Sequence, residues 1–261
     1  MKVAGKIAVI TGAASGIGAA LARRFSHEGA QSIAVADVQT DALEKLSKEI
    51  GAMPVTCDVT DETQVIDLIT QVEKECGEID IYCSNAGIAL SGGEHARDTE
   101  WSLNWNIHVM AHVYAARQLT PKMTKRGNGY FVITASAAGL LTHINSATYS
   151  VTKHAAVAFA EYLAINHGPS GVKVSVLCPQ AVRTAMTAGN ENSVASVDGM
   201  MEPDELTDTV IDAMDNEDFL ILPHPQVLDY MQRKSGNYDR WLRGMQRLAE
   251  KYKPNTHGDG V

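Results

Sequence analysis

The chain has 261 residues, 31 acidic against 22 basic side chains and a formal net charge of −9. Its lysines and arginines form no block, which argues against nucleic acid or an anionic membrane surface as the main partner. A hydrophobic content of 45% suffices for one large core, so a single domain over residues 1–261 is expected.

The N-terminus, MKVAGKIAVITG, enters a strand-like run at once, without the apolar region and cleavage site of a secretion signal. No later apolar stretch approaches the length of a bilayer span. The cysteines Cys57, Cys76, Cys83 and Cys178 lie far apart and form no C-x-x-C pair, which suits free thiols in a reducing compartment. A cytoplasmic protein is the expectation.

The first strand, KIAVIT (6–11), runs into TGAASGIG (11–18) and then a helical segment. Glycines at 12, 16 and 18 let the backbone turn sharply and approach a pyrophosphate, whose charge is met by amides at the helix N-terminus. Gly12, Ser15, Gly16, Ile17 and Gly18 are therefore candidate cofactor contacts. The second strand, SIAVAD (32–37), ends on Asp37, 19 residues after Gly18. A carboxylate there accepts hydrogen bonds from the adenosine ribose hydroxyls and repels a 2′-phosphate. No lysine or arginine stands at Ser15 or Val38 to offset that repulsion, so the expected cofactor is NAD.

Helical sequence then alternates with MPVTCD (53–58), IDIYCSN (79–85), GYFVITAS (129–136), VKVSVLCP (172–179) and FLILP (219–223). Seven strands alternating with helices predict an α/β, Rossmann-like, doubly wound fold: a parallel sheet with helices on both faces. The irregular stretch at about 180–203, containing TAGNENSVASVDG, follows a strand and is the expected substrate loop. The charged and aromatic tail at about 225–253 reads as helix closing the domain edge or meeting a neighbouring subunit. The final PNTHGDGV is expected to fray.

Between the fifth and sixth strands stands YSVTK, Tyr149 to Lys153. Spacing of four on a helix stacks the ammonium beside the phenol. At about 5 Å and an effective dielectric of about 20, that charge is worth roughly 3 kcal/mol, or about two units off the tyrosine pKa. In isolation the same spacing also fits an ordinary exposed pair.

Taken together, TGAASGIG, CDVTD, SNAG, TASAAG and YSVTK resemble the short-chain dehydrogenase/reductase family in its shorter form, in the family's order and over nearly the whole chain. The resemblance implies Tyr149 as proton donor and acceptor at the substrate oxygen. It implies that Lys153 lowers the Tyr149 pKa and holds the nicotinamide ribose, and that Ser136 hydrogen-bonds the substrate oxygen. Asp58 and Val59 would hold adenine, while Asn85, Ala86, Gly87, Pro179, Val182 and Thr184 line the cofactor site. Assembly as a homotetramer or dimer through the helices at 99–125 and 149–167 is implied as well.

Two departures from the family pattern stand out. The asparagine usual on the helix after SNAG is matched by identity at Asn106 and by spacing at His108. Gln180 replaces the glycine usual after Pro179, where it either reshapes the pocket or points to solvent. His108 and His112 are four apart but lack a third ligand, so no metal is expected. The candidate substrate lining, Ala138, Leu140, Leu141, His143, Ile144, Asn145, Gln180 and Met186, is mostly apolar. It suggests a hydrophobic secondary alcohol and its ketone, of terpenoid, alicyclic, aromatic or steroid type. Rival readings are a dihydrodiol or 3-hydroxyacyl dehydrogenase, the latter needing basic residues near the mouth, or a catalytically silent dinucleotide-binding scaffold.

Overall fold

In the computed structural model, which describes residues 1–90, 92–189 and 193–252, seven parallel strands form one sheet in the order β3-β2-β1-β4-β5-β6-β7. The strands are β1 (Ile7–Thr11), β2 (Ser32–Asp37), β3 (Met53–Thr56), β4 (Ile81–Ser84), β5 (Gly129–Thr134), β6 (Val172–Leu177) and β7 (Leu220–Ile221). Every residue of β1, β4 and β5 is buried, which explains their continuous apolar runs: a strand covered on both faces has no solvent side to alternate with. Edge strand β3 does alternate and accommodates Pro54, because an edge needs no donor on its open side.

Helices α1 (Gly16–His27), α2 (Thr40–Ile50) and α8 (Pro203–Asn216) cover one face. The other is covered by α3 (Glu62–Glu75), α5 (Ala111–Arg126) and α7 (Ala147–His167). Each face has its own core, one around Ile10, Leu21, Leu43, Val132 and Met214, the other around Leu68, Tyr82, Leu119, Phe131 and Leu163. A fully buried side chain of this size contributes about 2 kcal/mol. Short helices α4 (Asp98–Trp105) and α6 (Ala138–Leu141) complete the body, and α9 (Gln226–Gly236) and α10 (Tyr238–Lys251) form the tail. Among the described residues no helix is long and apolar enough to cross a membrane. Residues 190–192 of the expected loop and residue 253 with PNTHGDGV lie outside the described residues.

Two elements differ from expectation. The run FLILP yields only a two-residue strand, since β7 is an edge paired to β6 at Val176 and Leu177 and Pro223 has no N–H to extend the ladder. The helix read over 99–125 is interrupted by a π-turn at Asn106–Met110.

Strand order reverses at β1 and β4, and the crevice opens at their carboxyl ends. The turn into α1 is drawn tight there. A Cβ built on Gly18 would lie 2.2 Å from the Gly12 carbonyl oxygen and 2.7 Å from Asn85 Nδ2, so α1 can approach only without a side chain. Gly18→Ala is expected to cost about 1–3 kcal/mol by overpacking, lowering the thermal unfolding midpoint by roughly 5 °C. An unchanged midpoint would reject this account of the contact.

Candidate active site

The carboxyl ends of β1, β4 and β5 are tied together by side chains. Thr11 Oγ1 accepts the Asn85 and Ala86 amides at 3.0 and 3.2 Å. Asn85 Nδ2 donates to the Thr11 carbonyl (3.0 Å), and Thr134 Oγ1 donates to Asn85 Oδ1 (3.0 Å). The Asn85 side chain is thus spent on bracing the crevice. Asp37 sits half-buried at the end of β2, its two oxygens accepting the Ala14 and Gln39 N–H groups, both at 3.1 Å. Asp58 is fixed in the same way by the Thr60 N–H and hydroxyl.

Ser146 caps α7 by accepting the Tyr149 N–H at 3.3 Å, which sets Tyr149 in the first turn and Lys153 one turn later. The Lys153 side chain is buried. Its Nζ lies 5.6 Å from the Tyr149 ring centroid and donates to the Thr134 carbonyl at 2.9 Å. Burial pushes the Lys153 ammonium down to about 8, with no carboxylate among the groups acting on it. Burial also raises Tyr149 above its ordinary value, opposed by a hydrogen bond from Ser136. Loss of solvation thus acts on both groups, disfavouring the charged form of each. Neutral phenol and charged amine are the forms present near neutrality.

Behind the pair lies His108, fully buried. Its ring meets that of Tyr149 edge-on, with centroids 5.3 Å apart. Nε2 accepts the Ile88 N–H at 3.2 Å, so the imidazole proton sits on Nδ1, which faces Thr152 Oγ1 at 2.9 Å. A Cβ built on Gly87 would lie 3.6 Å from His108 Nε2 and 3.7 Å from Lys153 Nζ, which puts both nitrogens beside Gly87. Of the two candidates it is therefore His108 that stands beside Gly87 with the lysine, while Asn106 stands at the start of the π-turn. His112 bonds separately to Ser84 Oγ at 2.6 Å. No group of three or more metal-ligating side chains occurs among the described residues.

A cleft of about 1450 Å³ unites these parts, larger than the roughly 300–1,000 Å³ typical of one small-ligand pocket. It is lined by Gly12, Ser15, Gly16, Ile17, Asp37, Val38, Asp58, Val59, Asn85, Ala86, Gly87, Ser136, Tyr149, Lys153, Pro179, Val182 and Thr184. Of the expected site residues only Gly18 is absent from the lining, its role being the helix contact above. Ala138, Leu141, His143, Asn145, Gln180 and Met186 line the cleft, and Leu140 and Ile144 do not. Gln180 does not point to solvent: its Nε2 donates to Asp198 at 3.0 Å, and Asp198 also accepts the Tyr230 hydroxyl at 3.0 Å. The cleft wall is mostly apolar, as expected, and Arg233, Arg240 and Arg247 add cationic groups to it.

The model of the short chain dehydrogenase family matches residues 6–195. The chain is 36% identical over 74% of its length to 1-deoxy-11-beta-hydroxypentalenate dehydrogenase of Streptomyces exfoliatus, spanning 76% of that protein. To meso-2,3-butanediol dehydrogenase of Serratia marcescens it is 34% identical over 72% of its length and 76% of that protein's. A short-chain dehydrogenase/reductase from Burkholderia phymatum, solved with NAD, superposes with a TM-score of 0.84 at 25% identity, covering all of both chains. The chain belongs to the short-chain dehydrogenase/reductase family. It is an oxidoreductase.

Other solved members of the short-chain dehydrogenase/reductase family hold NADH or NADPH, and the crevice here fits such a dinucleotide. Ser15 starts α1 in an extended conformation with no side-chain cap bond, and the first turn carries no acidic residue. Its amide donors are thus open to an anion in the cleft. Gly12 and Gly16 adopt φ of 65° and 53°, the left-handed region that favours glycine.

The buried histidines of this short-chain dehydrogenase/reductase make its stability depend on pH. Burial and the Lys153 charge lower His108 from 6.5 to about 2 and His112 to about 3. Between those values and 6.5 the unfolded chain binds protons that the native state refuses, so stability falls as pH drops below 6.5, by about 1 kcal/mol per unit for each histidine. Urea midpoints at pH 7 and pH 5 should separate, and His108→Asn should narrow the gap. Equal gaps in variant and wild type would show that His108 is not held neutral.

Proposed function

We propose that this protein is an NAD-dependent enzyme interconverting a hydrophobic secondary alcohol and its ketone, with Tyr149, Ser136 and Lys153 as its catalytic residues. The observation that carries the reading is the Tyr149–Lys153 stack, braced by the Thr134 carbonyl, in one cleft with Ser136 and the glycine turn. A bound nicotinamide supplies the hydride acceptor or donor. In ketone reduction the neutral Tyr149 phenol gives its proton to the carbonyl oxygen and becomes the phenolate. In alcohol oxidation Tyr149 must first lose its proton, by way of Lys153 to solvent, and the phenolate then takes the proton of the alcohol. Ser136 steadies the charge developing on that oxygen. Lys153, with a pKa of about 8, can exchange a proton near neutrality and resupply Tyr149. Gln180 and Asp198 on the chain after β6 are tied to Tyr230 of the tail, which joins the two segments at the substrate end of the cleft.

Preference for NAD rests on Asp37. Its carboxylate is anchored by two backbone amides at the adenosine end of the cleft, where a 2′-phosphate would meet like charge.

Replacing Tyr149 by Phe should reduce turnover at least a hundredfold while NADH binding stays within about threefold, measured by NADH absorbance and fluorescence titration. Retained turnover would remove Tyr149 from the chemistry. Asp37→Ala should shift the NAD-to-NADP ratio of kcat/KM at least tenfold toward NADP, and an unmoved ratio would sink the ribose assignment.

A further inference from the structure

We propose that the tail helices form an anion-binding wall, and that the substrate is amphiphilic: an apolar body bearing the hydroxyl or ketone, with its own carboxylate or phosphate groups held by Arg233, Arg240 and Arg247. This deepens the dehydrogenase reading above and rests on it.

The arginines divide sharply. Each of the six before residue 200 pairs with a carboxylate. The four in the tail, Arg233, Arg240, Arg243 and Arg247, have no ion-pair partner among the described residues, although Asp229 and Asp239 stand four residues before Arg233 and Arg243. Three of the four line the cleft. In a chain of net charge −9, a run of unpaired guanidinium groups around a cavity is a local field of the opposite sign, which concentrates anions at its mouth. Arg240 and Arg247 are two helical turns apart, about 10 Å along α10, a spacing that can meet either one carboxylate or separated phosphates. Guanidinium groups suit both anions, since each accepts paired N–H donors.

The apolar half of the wall comes from the same helix. Trp241, Met245 and Leu248 follow one another at helical spacing and line the cleft, yet no residue of α10 is buried. Its apolar stripe therefore looks into the cavity, with the arginines at its border. The wall stands at the catalytic end: α9 packs Val227 against Ala137 and Leu141, just beyond Ser136, and Lys234 Nζ donates to the Leu140 carbonyl at 2.6 Å. Asp37 and the adenosine subsite lie at the ends of other strands. The matched family region ends at residue 195, so this wall belongs to the part of the chain beyond it.

The test is calorimetric titration of the NADH-loaded protein with two matched pairs: decanoate against decanol, and octanoyl coenzyme A against the N-acetylcysteamine thioester of octanoate. At least one anion should bind tenfold or more tightly than its neutral partner. In the Arg240→Gln/Arg247→Gln double variant, whose substitutions are at exposed positions, that advantage should fall below about threefold while NADH affinity stays within twofold. Preference confined to decanoate points to a hydroxy acid, and preference confined to the coenzyme A thioester points to a phosphate-bearing carrier. Equal binding of anionic and neutral partners, an advantage that survives in the double variant, or a matching loss of NADH affinity would each overturn the proposal. None of these readouts uses turnover, so failure to oxidise any alcohol would count against the dehydrogenase reading separately.

Discussion

A buried ammonium with no carboxylate partner among the described residues is the constraint on which the rest of the site depends. Lys153 is held by a single backbone carbonyl, that of Thr134, and by the face of Tyr149. Burying an unpaired charge is costly, and the observed lowering of its pKa expresses that cost. Everything around it is arranged to tolerate the charge without neutralising it. The nearby histidines are kept in their neutral forms, and the thiol of Cys178, itself raised to about 12 by burial, is no counter-ion at neutral pH. An acidic neighbour would stabilise the ammonium and make it a poor proton exchanger. Its absence leaves the amine near the working pH.

The position of that lysine follows from the sheet. Thr134 ends β5, Asn85 follows β4 and Thr11 ends β1, and their mutual hydrogen bonds lock three strand ends into one surface. The Thr134 carbonyl that receives Lys153 is part of the same surface, so the cofactor crevice and the acid–base pair share a rigid support. Such a brace limits the drift of reacting groups, where displacements near 1 Å are expensive.

Much of this was legible in the chain itself. Strands buried on both faces announce themselves as unbroken apolar runs, and the glycine turn, Asp37, Ser136 and the Tyr149–Lys153 pair have local spacings that survive folding. What escaped reading depends on which way a face turns. The seven-residue recurrence of Arg233, Arg240 and Arg247 is visible in the tail, but a row of arginines looks like a solvated face until the cavity beside it is known. The net direction of the Tyr149 shift is hidden for a related reason: a pair separated by four residues shows its attraction in sequence, whereas its desolvation depends on the whole fold. His108 was half legible, since spacing favoured it and residue identity favoured Asn106, and only its place beside Gly87 and Lys153 in the fold separates them.

That π-turn has a structural corollary. One extra residue in a helical turn rotates everything after it by about 100° relative to a regular helix. Here it lets the segment before it expose Leu103 and Trp105 while His108 and His112 point inward. Trimming the segment by one residue to give a plain helix would therefore swing the histidines out of the interior or the upstream face out of solvent. In this stretch chain length is as constrained as side-chain chemistry, and insertions or deletions are a heavier change than most substitutions.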